Sequence, residues 1–207
     1  MTTAFRNKSN VLVGAPDIKA GGGALIGAAN PEKASYPTDA TTALPAALSM
    51  KPAGFISADG VTKTVETNTE EIKDWNGDVV VTLLTDQKTT LRVTFLESAN
   101  GTVLKAVSPT GAVTVEADLV TVRDTADERP HISIAFEIKG AKDKKIRLFA
   151  PDAQVTNVGD VTYVRSGVIQ YEAELVCYVD DDGVGLYTFI ETIADADADA
   201  GEEDPGA

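Results

Sequence analysis

Histidine and cysteine are nearly absent: the 207 residues hold one of each, His131 and Cys177. A single imidazole leaves no histidine cluster for a metal centre and little material for a proton relay. A single thiol excludes an internal disulfide and gives no sign of an oxidising compartment. Bases are also short, 18 against 32 acids, for a formal charge of −14. That balance disfavours a specific grip on nucleic acid or on an anionic membrane, both of which need a positive surface. Aromatic residues make up 6%, which argues against an aromatic ligand platform. No apolar run approaches the ~20 residues that cross a bilayer. The opening MTTAFRNKSNVLVGAP lacks the apolar core of a secretion signal, so the chain reads as made and kept in solution.

What is present falls into three parts. Residues 1–50 hold three consecutive glycines, prolines at 31, 37 and 45, and many small residues, with only short apolar pieces such as VLVG and ALIGA. They read as an extended arm with one or two short strands, disordered or docked on a partner. Residues 51–193 follow a period of two. In HISIAFEIKG, Ile132, Ile134, Phe136 and Ile138 point one way, with His131, Ser133, Glu137 and Lys139 opposite. In VIQYEAELVCYV, Ile169, Tyr171, Ala173, Leu175, Cys177 and Val179 form one face, and Val168, Gln170, Glu172, Glu174, Val176 and Tyr178 the other. DVVVTLLT and TTLRVTFLE read as strands around a DQK turn; AVTVEADL, KKIRLFA and VGLYTFIET complete the set, the last reached through a DDDG hairpin turn. LESANGTVLKAVSP departs from this period: Leu96, Val103, Leu104 and Val107 have helical spacing, and Pro109 follows, so a short helix is expected over 97–107. Residues 194–207 carry Asp195, Asp197, Asp199, Glu202, Glu203 and Asp204 with no base, and read as a disordered acidic tail. The expected fold is mainly β, a β-sandwich or split β-barrel with one short flanking helix, a long arm and that tail.

No catalytic or metal constellation emerges. His131, beside Pro130 on a polar strand face, reads as a surface residue. Placing Gly183 of DDDGVG at the invariant glycine of a calcium loop puts Tyr178 at the first ligand position and Phe189 where a bidentate glutamate belongs. GGGALIG fails as a dinucleotide fingerprint, because a start at Gly21 puts Ile26 at the third glycine and a start at Gly22 puts Ala24 at the second. Cys177 lies on an apolar strand face without a neighbouring base and reads as a structural thiol. Trp75, before the Asn-Gly turn pair, reads as a core or interface anchor. The acid pairs Glu116/Asp118 and Glu172/Glu174 each project from one strand face; such pairs can serve glycoside hydrolysis but are commonplace in a solvated sheet. No enzyme is expected, and no cofactor.

Four stretches in order carry a resemblance: GGGALIGAANPEKASYPTDATTALPAAL, then GFISADGV, then TKTVETNTEEIKDWNGDVV, then TFLESANGTVLKAV. Together the chain, over roughly residues 13–193, resembles the major tail proteins of long-tailed, non-contractile bacteriophages, the subunits of the tail tube. The stretch before GFISADGV departs from the family's Leu-Gly and reads KPAG at 51–54. The resemblance implies a structural virion protein, made in the host cytoplasm, whose hexameric rings stack into a tube that conducts the genome. It also implies tape measure, tail terminator and distal tail proteins as partners, with double-stranded DNA passing unbound and no membrane contact. A head-to-tail interface can close into rings, and stacked rings can continue indefinitely. Threonine and valine favour extended chain, while mixed Glu and Lys keep a projecting segment soluble. The contact between subunits or rings is therefore expected at Phe55, Asp59, Gly60, Val65, Glu66, Glu70 and Trp75. Glu116, Asp118, Glu172 and Glu174 are the candidate lumen-facing acids. The alternative is a β-sandwich binding module, such as a virion decoration or carbohydrate-binding domain.

Overall fold

The computed structural model describes residues 11–17, 22–140 and 144–192. Among these the chain is mainly β, with a nine-stranded sheet that does not close, a separate two-stranded sheet and one α-helix. The acidic segment 194–207 and residues 1–10 of the arm lie outside the described residues.

The centre of the main sheet is an antiparallel pair, β8 (His131–Gly140) and β9 (Lys144–Val158). Alternation turns Ile132, Ile134 and Phe136 of β8 inward beside Leu148, Ala150, Ala153 and Val155 of β9. β9 is longer than KKIRLFA suggests because the strand continues through a proline. Ile132 faces Ala153 and Ile134 faces Ala150, so β9 carries one extra residue and bulges at Pro151–Asp152. A bulge tolerates a residue with no N–H to donate, and the Pro151 carbonyl accepts from Asn30 N at 3.0 Å. The other edge of β9 is shared, its second half pairing with β10 (Tyr171–Cys177) and its first half with β11 (Tyr187–Thr192). The DDDG segment does form a local turn, with Gly183 at φ 76°. The strands flanking it, however, pair with β9 and not with each other, which corrects the expected hairpin.

The arm is the second difference from expectation. β1 (Gly14–Pro16) and β2 (Ala24–Ala28) both pair with β8, and β3 (Lys51–Pro52) pairs with β2. Leu48, Ala135 and Phe149 form a second core, which Tyr36, Leu44, Met50, Tyr187 and Phe189 surround. Residues 22–50 thus dock on the chain's own sheet. For that reason the side of β8 expected to be solvated is covered, leaving Ser133 fully buried and Glu137 2% exposed.

The third difference is a single long ribbon. β4 (Ile56–Lys73) and β5 (Val79–Phe95) pair along their lengths. The DQK segment is not a turn: Asp86, Gln87 and Lys88 face Asn68, Thr67 and Glu66 within the ladder. The reversal lies at 74–78, where the Asp74 carboxylate accepts from Asn76 N and Asp78 N, both at 2.9 Å, and Gly77 adopts φ 90°. SADG, at the base of β4, is an irregularity in the ladder, with Gly60 at φ 68°.

The helix α1 (Gly101–Val107) falls within the expected stretch, and Val103, Ala106 and Val107 close the inner face of the sheet. AVTVEADL, read as one strand, is instead parts of two: β6 (Val113–Glu116) and β7 (Leu119–Val122) form a small hairpin turning at Ala117–Asp118. Asn100 caps α1 by accepting from Thr102 N at 2.9 Å. Glu97 in turn accepts from Asn100 Nδ2 at 3.0 Å and from Phe55 N at 3.1 Å. One carboxylate thus joins the helix cap to the start of β4. It occupies the space a side chain would need at Gly54, where a Cβ would lie 1.9 Å from Glu97 Cδ, and Gly54 also has φ 77°. Gly54→Ala is expected to cost about 2–3 kcal/mol through backbone strain plus this collision. Adding Glu97→Ala should relieve the collision but not the strain; paired denaturation curves in a double-mutant cycle measure both.

Candidate assembly surfaces

One face of the main sheet is divided between a covered half and a bare half. Arg147 on β9, 3% exposed, donates from Nε to Glu137 Oε1 at 2.6 Å. Its remaining nitrogens donate to the carbonyls of Asp39 and Thr42, at 2.8 and 2.9 Å. Those carbonyls are held in place because the Asp39 carboxylate accepts from the backbone N–H groups of Thr41 and Thr42 and from the Thr42 hydroxyl. This is the physical content of PTDATTAL: a self-bonded turn whose outward carbonyls receive a buried guanidinium. The Thr42 hydrogen bonds hold the Asp39 carboxyl below its ordinary pKa. Its contribution to stability is therefore full above the ordinary carboxylate range and is lost as pH falls through the lowered value.

The bare half belongs to β10, β5 and β4. Glu172 and Glu174 alternate with the buried Ala173 and Leu175, and lie opposite Thr94 and Arg92 on β5. Arg92 donates to Glu174 at 2.9 Å and approaches Glu172 at 3.9 Å. Thr62 and Thr64 of β4 extend this polar surface through their pairing with Arg92 and Thr90. The four acids singled out in the sequence do not share a surface. Glu116 ends β6, and Asp118 lies in the β6–β7 turn and not on a strand face; that hairpin packs beside α1, away from this sheet face.

Beyond the body, β4 and β5 form a two-stranded ribbon in which every residue from 62 to 88 is exposed. At the usual strand rise Val79–Lys88 alone spans roughly 30 Å. Its apolar side chains lie on both faces: Ile72–Val81 and Glu70–Leu83 pair on one, Thr69–Leu84 and Glu71–Thr82 on the other. Val80 is 63% exposed, Leu84 61%, and Trp75 at the tip has no cover at all. The seven residues expected at a contact thread this element from end to end. Phe55, Asp59 and Gly60 lie at the base, Val65, Glu66 and Glu70 along β4, and Trp75 in the turn. Trp75 is not a core residue. Val79, Val80, Val81, Leu83 and Leu84, exposed on the same ribbon, were not among those seven.

His131 and Cys177 both sit in structural contacts. His131 Nδ1 lies 2.7 Å from Asp152 Oδ1, with its ring against Tyr178. Burial pushes the Cys177 thiol up to about 12, leaving it protonated and unreactive. No group of three or more His, Cys, Asp or Glu suited to a metal occurs among the described residues, nor does any helix there have the length and apolarity to cross a membrane.

An open sheet with one face half bare and an uncovered apolar ribbon has the features of a subunit that packs against others. The family model described as Phage tail tube protein matches residues 17–201. The chain belongs to this family. It is a structural tail tube component of the virion, in a family that associates with itself to form a tube. Comparison with curated proteins gives no match.

Removing one partner of the buried ion pair leaves the other charge stranded. Arg147→Met is expected to destabilise the protein by about 3–5 kcal/mol, and Arg147→Met with Glu137→Leu to recover most of it. Urea denaturation measures the loss. Limited proteolysis across residues 36–50 should quicken in the single variant, since the guanidinium holds that segment down.

Proposed function

We propose that six copies close into a ring, that rings stack into the tail tube through the β4–β5 ribbon, and that the bare face of β10, β5 and β4 lines the bore. The observation that carries this reading is the exposure of apolar side chains on both faces of the ribbon. A two-stranded hairpin is marginal alone in water, and full burial of one Val or Leu side chain contributes about 1.5–3 kcal/mol. Such an element gains most of its stability when another subunit covers it. β4 also leaves one edge unpaired in the main sheet, a backbone row suited to strand pairing with a neighbour.

The bore follows from charge. DNA carries about one negative charge per ~1.7 Å of axis. Glu172 and Glu174 set a weakly repulsive wall, and Arg92 between them limits its strength, so no site grips the genome during delivery. Glu116 and Asp118, on the other surface, are assigned to the outside of the subunit or to its contacts. Tape measure, terminator and distal tail proteins would meet the tube at its interior and its ends, after synthesis of the subunit in the host cytoplasm.

Two experiments test these assignments. Val81→Asp with Leu84→Asp should abolish tubes in negative-stain images while the subunit's melting temperature stays within a few degrees, because both positions are exposed. Tubes that still form would refute the ribbon assignment. Glu172→Lys, carried in intact particles, should slow DNA release in a salt-dependent manner; an unchanged release rate would place that face elsewhere.

A further inference from the structure

The groove between β2, α1 and β6 has a volume of about 550 Å³ and no acid in its lining. For a chain with 32 acids and 18 bases this is an unusual surface. The buried Ile26, Ala106 and Ile132 make an apolar floor, while Lys51, Lys105 and His131 are exposed around it. Neither lysine makes an ion pair among the described residues, whereas His131 is engaged with Asp152. Gly27, Ala28 and Gly101 add almost no side-chain bulk to the lining, which leaves room for an extended chain. The site therefore suits a narrow, extended, acidic strand with small apolar residues on its second face.

Such a segment exists in the same chain. Residues 194–207 read ADADADAGEEDPGA. Extended, Asp195, Asp197 and Asp199 would point one way and Ala194, Ala196 and Ala198 the other. The alanines match the floor and the aspartates match the lysines. Position favours a second copy as donor. β11 ends at Thr192, paired with Lys144 at one end of β9, while the groove lies at the opposite end of β8, beside Pro130 and His131. Two complementary patches at opposite ends of a subunit are what a head-to-tail contact requires.

We infer that the groove receives the acidic C-terminal segment of a neighbouring copy, so that the tail acts as a linker between subunits. This rests on the tube reading above. The test uses full-length chains, one carrying Lys105→Cys and the other Asp197→Cys with a different tag, mixed and mildly oxidised. Cys177 is buried and contributes no reactive thiol under native conditions. The expected result is a disulfide between the two chains, about tenfold more abundant than with Thr156→Cys in place of Lys105→Cys, given the raised local concentration of a docked segment. Adding Lys51→Glu to the Lys105→Cys chain should cut the yield.

Three outcomes would overturn the inference. One is a link that forms only within one chain when Lys105→Cys and Asp197→Cys are carried together; another is a yield that ignores Lys51→Glu. The third is no link in a sample that shows tubes by negative stain, which would leave the tube reading standing. A sample with neither link nor tubes would remove both.

Discussion

A β ladder satisfies backbone hydrogen bonds but does not by itself remove side chains from water, and everything distinctive in this subunit follows from a ladder that outruns its cover. From Phe95 to Leu91, the inner face of β5 is sealed by α1 and by the strands beside it. Past Thr89 the same two strands continue with nothing on either side. The pairing is continuous across that boundary, so the body holds the ribbon in a fixed direction while leaving its valines and leucines uncovered. In the assembly proposed above, a second subunit completes the burial that the first one begins.

The covered half of the sheet depends on a different interaction. Glu137 and Arg147 face each other where the arm crosses, and a buried charge pair is tolerated only when its spare donors are also satisfied. The carbonyls of Asp39 and Thr42 do this. The pairing thereby fixes the arm's position: it can lie over the Ala135–Phe149 side and leaves the Glu172–Glu174 side open. One buried cation thus decides which part of the sheet faces water.

How much of this was legible in the sequence depended on where burial came from. Period-two alternation located β8 and β10, and the helical spacing of Leu96, Val103, Leu104 and Val107 with Pro109 beyond it located α1, because both signals reflect the chain's own core. The ribbon's length was not legible, since DVVVTLLT and TTLRVTFLE are one strand, β5, and not two. The run of Val79–Val81 with Leu83 and Leu84 is bare on both faces within the subunit. DQK was read as a turn because three polar residues interrupt apolar ones; within a solvated ribbon they are ordinary strand residues. Glu137 was placed on the solvated side of β8 because the segment that covers it, around Asp39 and Thr42, lies far earlier in the chain. Asp118 was assigned to a strand face because a two-residue reversal at Ala-Asp leaves almost no mark in the alternation.

The single thiol has a consequence for the particle as an object that persists outside cells. A virion component spends its extracellular life in aerated water, where accessible cysteines oxidise and cross-link. Cys177 is held in the core with its proton firmly attached, so the thiolate that begins such damage is scarcely populated. A structure assembled from many copies thereby avoids a slow chemical ageing that a surface cysteine would repeat once per copy.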